Sequence, residues 1–236
     1  MTRSRHLAPC KLSRKTRKLL QSVQPYTMSD PLRLVTLNKL VQELSTNGVA
    51  GDIVECGVCN GGSAAVMATA VVQCPERSLW LYDTFEGIPQ AHETDGPLAQ
   101  TLTGHFVGSV QMVREALSKV GYPLERVTLK KGLFRETFKD QLPGNIALLH
   151  IDADWYESVL LALQTLYPLV SDGGFIVLDD FGHWEGSRKA FYDFCRAESI
   201  QPLLERVGAT QAFWRKGLEH NRDLYGAFEY GFYRPK

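Results

Sequence analysis

Hydrophobic residues along the chain form short apolar runs that alternate with longer stretches of helical periodicity. Five of the runs predict β-strands, at residues 53–56, 79–82, 126–130, 146–151 and 175–178. The patterns around them predict helices at residues 30–48, 63–73, 109–120, 134–140, 156–170 and 186–199. Strands and helices that alternate in this way are typical of a parallel sheet with helices on both faces.

The region after residue 200 has a different pattern. Two strand-like runs, 201–206 and 210–215, are separated by only three residues. So short a link requires an antiparallel pair, because a parallel crossover needs a dozen or more residues. The sequence therefore predicts an α/β fold with a seven-stranded, mostly parallel sheet and a C-terminal antiparallel hairpin, which is the Rossmann-like architecture of class I methyltransferases.

Composition and charge divide the chain into a body and two terminal segments. Its 236 residues suit one large domain, which we expect over residues 28–216. Lys plus Arg and Asp plus Glu both total 26, and this balance argues against a general nucleic-acid binder. Seven cations and no acid lie within residues 1–18, so we expect a basic, mobile arm over residues 1–27. The aromatic-rich tail, 217–236, is expected to pack on the domain or on a second subunit.

The cysteine pattern and the hydropathy of the chain indicate in which cellular compartment the protein is expected. The five cysteines follow no spaced framework, and the N-terminal segment lacks the apolar core of a secretory signal. No apolar stretch approaches the roughly 18 residues that a membrane helix needs. We therefore expect a cytoplasmic protein with reduced thiols and no membrane contact.

A glycine-rich turn follows the first predicted strand, where an open α/β sheet binds its ligands. A dinucleotide fingerprint, Gly-x-Gly-x-x-Gly, needs glycine in the middle, but the register from Gly57 to Gly62 places Cys59 there. Glu55 at the strand end would repel phosphates, whereas it suits the ammonium and sulfonium of S-adenosylmethionine. Asp83 ends the second strand and could accept both ribose hydroxyls of such a cofactor. These residues favour S-adenosylmethionine; the alternative is a turn that only packs helix on strand.

Acidic side chains follow the fourth and fifth predicted strands. Asp152 and Asp154 come after the fourth, and Asp179 and Asp180 come after the fifth. Because neighbouring parallel strands end at one edge, these carboxylates should converge, and their repulsion would require a cation or protonation. All-oxygen ligands suit Mg²⁺, so the sequence predicts a magnesium site on Asp152, Asp179 and Asp180. The alternative is that these acids cap helices or begin turns, which is the interpretation we adopt for Asp154.

Five sequence blocks resemble the macrocin O-methyltransferase family, whose members methylate sugar hydroxyls of antibiotics. The blocks occur in the family's order within roughly residues 28–215, at 51–58, 83–89, 131–137, 150–158 and 179–182. The resemblance implies a homo-oligomeric O-methyltransferase that uses S-adenosylmethionine and Mg²⁺ and acts on a hydroxylated small molecule. It also implies that the helix at the start of the domain 28–216 closes over the site as a lid. It implies a metal on the same three aspartates. The cofactor-binding residues expected from the turn and the resemblance are Glu55, Gly57, Ser63, Asp83, Gly132, Phe134 and Asp152.

Methyl transfer to a sugar hydroxyl needs a group that removes the hydroxyl proton. We expect Asp152 to act both as metal ligand and as general base, because it follows the first metal-binding strand. His183 lies just past the second metal-binding pair and is the other candidate base.

Three alternative functions stay open at this point. A phenol or catechol methyltransferase shares the layout, but catechol enzymes carry a lysine where this chain has Trp155. A metal-dependent hydroxylase of the cephalosporin type has a similar sheet with similar acidic strand ends. A catalytically silent protein that binds S-adenosylmethionine is the third, and the intact set of aspartates argues against it.

Overall fold

A computed structural model describes residues 12–217 of the chain. Seven strands form one sheet with the order β3-β2-β1-β4-β5-β7-β6. The strands are β1 Asp52–Cys56, β2 Leu79–Asp83, β3 Val127–Lys131, β4 Ile146–Ile151, β5 Val170–Leu178, β6 Glu205–Val207 and β7 Gln211–Arg215. The first five run parallel, whereas β7 is antiparallel to both β5 and β6. The predicted sheet, including its antiparallel C-terminal pair, is confirmed.

Eight α-helices surround this sheet in the described part of the chain. They are α1 Arg14–Val23, α2 Pro31–Thr46, α3 Gly62–Val71, α4 Pro97–Gln100, α5 Val110–Lys119, α6 Phe134–Thr137, α7 Tyr156–Leu166 and α8 Glu185–Glu198. The start of α2 illustrates how the sequence sets these bounds. The Asp30 carboxylate accepts hydrogen bonds from the backbone of Leu32 and Arg33 at 2.8 and 3.1 Å, and Pro31 occupies the first helical position. No helix within residues 12–217 is long and apolar enough to span a membrane.

Two hydrophobic cores lie on opposite faces of the sheet. On one face, α2, α3 and α5 bury side chains such as Leu37, Met67 and Leu117. On the other face, α7 and α8 bury side chains that include Leu163 and Phe194. The central strands are therefore covered on both sides, which explains why they appear in the sequence as continuous apolar runs.

Strand β5 begins earlier than the sequence pattern indicates. Residues 172–174, which follow the helix predicted at 156–170, lie inside β5, where the pairing with β4 shifts register. A Cβ on Gly174 would stand 2.8 Å from the carbonyl oxygens of Ala147 and Ser171, so this irregular stretch needs a glycine. Helix α7 ends at Leu166 because Pro168 follows in a 3₁₀ turn and cannot continue the helix hydrogen bonding.

The predicted N-terminal arm contains α1. Val23 at its end is buried, and Leu19 and Leu20 pack against the first core. A truncation at residue 18 would therefore cut through a helix that packs on the domain. The predictions for residues 1–11 and for the aromatic tail from residue 218 onward lie outside the described residues.

Helix α2 offers a matched test of this packing. Replacing Leu37, which is 1% exposed, by Ala should lower the free energy of unfolding by about 2–5 kcal/mol, because a cavity remains among the core side chains. Leu32 lies on the same helix but is 55% exposed, so Leu32→Ala should change stability by no more than about 0.5 kcal/mol. Urea unfolding measures both. Equal losses would contradict the described placement of α2.

Candidate active site

A cavity of about 550 Å³ opens at the carboxyl ends of β1, β2, β4 and β5. Most of the site residues expected from the sequence line it, and these are Gly57, Asp83, Phe134, Asp152, Asp179, Asp180 and His183. Glu55, Ser63 and Gly132 lie outside its wall. Ligands of open α/β sheets bind at this edge, so the cavity is the candidate active site.

The turn after β1 is held tightly by backbone geometry. Gly57 has a φ of +90°, and a Cβ there would lie 1.8 Å from the carbonyl oxygen of Asp152. Only glycine allows the turn to approach the end of β4 this closely. The turn is thereby fixed against the strand that carries the first acidic residues.

Asp83 organises the same turn. Its carboxylate accepts hydrogen bonds from the backbone of Val58, Cys59 and Phe85 at 2.7, 2.8 and 2.7 Å. The side chain also lines the cavity, where the sequence places a ribose contact. Three backbone donors therefore hold its carboxylate in place, a role that spacing alone did not predict.

Four carboxylates meet at the opposite side of the cavity. Burial, together with the charges of Asp179 and Asp180, raises the pKa of Asp152 well above its usual range. Burial and the charges of Asp154 and Asp179 do the same to the pKa of Asp180. The sequence predicted this convergence for Asp152, Asp179 and Asp180, and the structure places all three on the cavity wall.

Asp154 is the fourth carboxylate, and the sequence analysis assigned it to a turn. It adopts a φ of +56°, lines the cavity and accepts a hydrogen bond from Trp184 Nε1 at 2.8 Å. Burial raises its pKa to about 6, although the Trp184 hydrogen bond opposes the shift. The sequence feature that could have indicated a site role for Asp154 is its position two residues after Asp152, at the end of the same strand. His183, the other predicted base, is exposed, and its ring packs edge-on against Trp184 at 4.6 Å.

Asp179 differs from the other three carboxylates because a cationic side chain pairs with it in the described part of the chain. Arg33 from α2 forms an ion pair with it, and Gln211 Nε2 from β7 donates to Oδ1 at 2.7 Å. Burial by itself raises the pKa of Asp179, but His150, Arg33 and Gln211 outweigh burial and hold the pKa below its usual value. Neither Arg33 nor Gln211 carried a recognisable motif in the sequence.

Glu55 is fully buried, and its side chain contacts the neighbouring strand β4. Its Oε1 lies 2.9 Å from His150 Nδ1, and His150 Nε2 lies 3.5 Å from Asp179 Oδ1. Burial by itself lowers the pKa of His150, but the contacts with Asp179 and Glu55 raise it to about 10. The sequence analysis placed Glu55 against a cofactor and did not single out His150.

The donor set at this edge suits a divalent cation. One ligand atom each from His150, Asp152 and Asp179 lie within 4.8 Å of one another. Asp180 Oδ2 is buried and has no hydrogen-bond partner among residues 12–217. Two clustered carboxylates with an imidazole nitrogen beside them, and a buried unsatisfied carboxylate oxygen, are what a divalent cation would satisfy.

Comparison with known proteins agrees with this geometry. The model of the macrocin O-methyltransferase (TylF) family matches residues 7–216. The chain belongs to this family. The resemblance stated from the five sequence blocks is thereby confirmed, and membership makes the protein an enzyme of the O-methyltransferase class.

Three members of the wider comparison illustrate what the chain is similar to. The 8-demethyl-8-(2,3-dimethoxy-alpha-L-rhamnosyl)-tetracenomycin-C 4′-O-methyltransferase of Streptomyces olivaceus is 31% identical over 218 residues, covering 86% of this chain and 80% of the relative. The demethyldecarbamoylnovobiocin O-methyltransferase of Streptomyces niveus is 29% identical and covers 81% and 76%. The solved structure of the O-methyltransferase NovP superposes with a TM-score of 0.75 at 27% identity and covers 81% of this chain and 82% of that one.

Gly57 provides a direct test of the packing between the turn and β4. Gly57→Ala should destabilise the protein strongly, because its Cβ would overlap the carbonyl oxygen of Asp152 and its φ is unfavourable. Gly121 has a φ of +76° with open space around it, so Gly121→Ala should cost only about 1–2 kcal/mol of conformational strain. Urea unfolding of both variants measures the difference. A Gly57→Ala variant no less stable than Gly121→Ala would refute the close approach.

Proposed function

We propose that this enzyme transfers a methyl group from S-adenosylmethionine to a sugar hydroxyl of a glycosylated natural product, with Mg²⁺ bound at the acidic edge. The observation that carries the proposal is the convergence of four carboxylates on the cavity that also contains Gly57 and Asp83. Family membership supports methyl transfer over hydroxylation or silent binding. The printed names of relatives, among them a rhamnosyl-tetracenomycin and a novobiocin methyltransferase, support a glycoside as substrate.

The cofactor would occupy the side of the cavity formed by the turn after β1. Gly57 lines the cavity there, and Asp83, Leu133 and Phe134 line it as well. S-adenosylmethionine supplies an electrophilic methyl carbon, and its cationic groups suit the negative charge around this cavity. Ser63 and Gly132 stay proposed contacts from the family pattern, although they lie outside the wall.

The metal would be held by Asp152, Asp179 and Asp180. Asp179 is already fixed by Gln211 and ionised, so it offers a ready anionic ligand. Bound there, Mg²⁺ would stabilise negative charge on the substrate oxygen and lower the pKa of the hydroxyl. Burial and the neighbouring carboxylates raise the pKa values of Asp152 and Asp180, so added positive charge would favour their ionised forms.

The hydroxyl proton needs an acceptor in the same cavity. Asp152 and His183 are the candidates from the sequence, and Asp154 is a third. Asp154 suits the role best, since its pKa of about 6 lies near neutral pH and Trp184 holds its orientation. Asp152 then acts mainly as a metal ligand.

The cavity rim suits a substrate with a large apolar body. Met28, Leu98 and Phe106 line the cavity, yet they are 69%, 63% and 49% exposed. Apolar side chains gathered at an opening are typical of a surface that a ligand covers. The aglycone of a glycoside would lie here while its sugar reaches the acidic edge. The homo-oligomer and the cytoplasmic location stay predictions.

The metal requirement can be tested with purified protein, S-adenosylmethionine and a panel of glycosides and phenols. We expect methyl transfer to a glycoside that EDTA abolishes and Mg²⁺ restores. Asp180→Ala should abolish turnover, while calorimetry should find S-adenosylhomocysteine bound within about threefold of wild type, because this carboxylate lies on the metal side of the cavity. Activity that is indifferent to EDTA would contradict the metal site, and turnover of phenols alone would contradict the sugar substrate.

The general base can be assigned by comparing three isosteric or near-isosteric variants. We expect Asp154→Asn to lower kcat by about 10²–10⁴, the usual effect of removing a general base, without weakening Mg²⁺ binding. Asp152→Asn should lose Mg²⁺ affinity as well as activity. His183→Gln should stay within about tenfold of wild type. A large loss confined to His183→Gln would move the role of base to that residue.

A further inference from the structure

Three buried polar residues form a line across the middle of the sheet. Glu55 on β1 pairs in register with His150 on β4, which in turn pairs with Val177 on β5. Asp179 follows Val177 by two residues, so its side chain points to the same face of the sheet. The line therefore runs from β1 to the acidic edge. Glu55 Oε1 lies 2.9 Å from His150 Nδ1, and His150 Nε2 lies 3.5 Å from Asp179 Oδ1.

This line is costly to bury. The side chains of Glu55, His150 and Asp179 are 0%, 1% and 2% exposed. Glu55 Oε2 has no hydrogen-bond partner among residues 12–217, and His150 Nε2 meets Asp179 Oδ1 at 3.5 Å without forming a well-aligned hydrogen bond. Buried ion pairs are often no more stabilising than well-packed apolar residues, and unsatisfied atoms add a penalty. Fold stability alone does not explain charged groups in strands that are otherwise apolar.

Glu55 also has no direct route to a ligand in the cavity. It is absent from the cavity wall, although Gly57 and Asp152 on either side of it are present. Its one hydrogen-bond partner in the described chain is His150. The hydrogen-bonded route from Glu55 to the site therefore passes through the imidazole ring.

We infer that Glu55 and His150 are positioning residues that fix the Asp179 carboxylate for the metal. A carboxylate can only accept, so His150 donates its Nδ1 proton to Glu55 and turns Nε2 toward Asp179 Oδ1. Together with Arg33 and Gln211, the imidazole constrains Asp179 from three different elements. Outer groups of this kind orient the ligands of many metal sites. The inference rests on the metal site of the proposed function.

The experiment compares Mg²⁺ and S-adenosylhomocysteine binding by calorimetry on the full chain. Glu55→Gln keeps the shape of the side chain and removes its charge, and His150→Gln removes the ring. Both should weaken Mg²⁺ binding to the cofactor-free protein by about 10–100-fold, the usual cost of losing an outer-shell partner. Their affinity for S-adenosylhomocysteine should stay within about threefold of wild type. If His150→Gln does not fold, Glu55→Gln carries the test.

Two control variants complete the comparison: one should weaken only S-adenosylhomocysteine binding, and the other should weaken neither ligand. Asp83→Ala should weaken S-adenosylhomocysteine binding and leave Mg²⁺ binding near wild type, because Asp83 holds the turn after β1. Tyr122→Phe removes a buried hydrogen bond to the Arg77 carbonyl oxygen, remote from the cavity, and should change neither affinity. A general loss of stability would lower both affinities together, so the split between them identifies positioning.

Three results would overturn the inference. Weaker S-adenosylhomocysteine binding by Glu55→Gln with unchanged Mg²⁺ binding would make Glu55 a cofactor contact instead. Electron spin-echo spectra of bound Mn²⁺ that show a coordinated nitrogen, lost in His150→Gln, would make His150 a ligand. Failure of the wild type to bind Mg²⁺ would remove the metal site itself and the positioning role with it. That outcome differs from one in which the wild type binds Mg²⁺ and both variants bind it equally well, which would contradict the positioning role alone.

Discussion

Repulsion among carboxylates at the ends of β4 and β5 is the constraint on which the rest of the site depends. Asp152, Asp154, Asp179 and Asp180 share one cavity wall, where burial weakens the screening of their charges. Among the described residues, a cationic side chain pairs only with Asp179, whose pKa is held low, while burial and neighbouring charges raise the pKa values of the other three. Buried carboxylates without a cationic partner are costly when ionised, and strongly shifted pKa values are typical of functional sites.

The sheet can carry this charge because its centre is rigid. Strands β4 and β5 are buried on both faces, so their ends cannot move apart to relieve the repulsion. The approach of Gly57 to the Asp152 carbonyl joins the turn after β1 to the same edge. One packed unit therefore presents both the turn and the acidic cluster.

Much of this arrangement could be predicted because parallel strands place their carboxyl ends at one edge, so Asp152, Asp179 and Asp180 had to converge. Side-chain direction could not be predicted. A carboxylate at position 55 fits a cofactor contact equally well until β1 is paired with β4, which brings Glu55 beside a histidine distant in sequence. The contact of Arg33 with Asp179 depends on how α2 lies over the sheet, which no local pattern encodes. The start of β5 could not be predicted either, because its glycine-containing first half pairs irregularly with β4 and lacks a continuous apolar run.

The partners of Asp179 differ in how deeply they are buried and in which elements carry them. His150 is 1% exposed at its side chain and belongs to the central sheet, as Gln211 belongs to β7. Arg33 retains 17% exposure, comes from a helix at the side of the cavity, and also pairs with exposed Asp30. A partly exposed arginine side chain can turn toward solvent, whereas groups fixed in a packed sheet cannot reorient without cost. The sheet side therefore sets the carboxylate's position, and Arg33 supplies positive charge from a side chain that can reorient while α2 stays packed on the core.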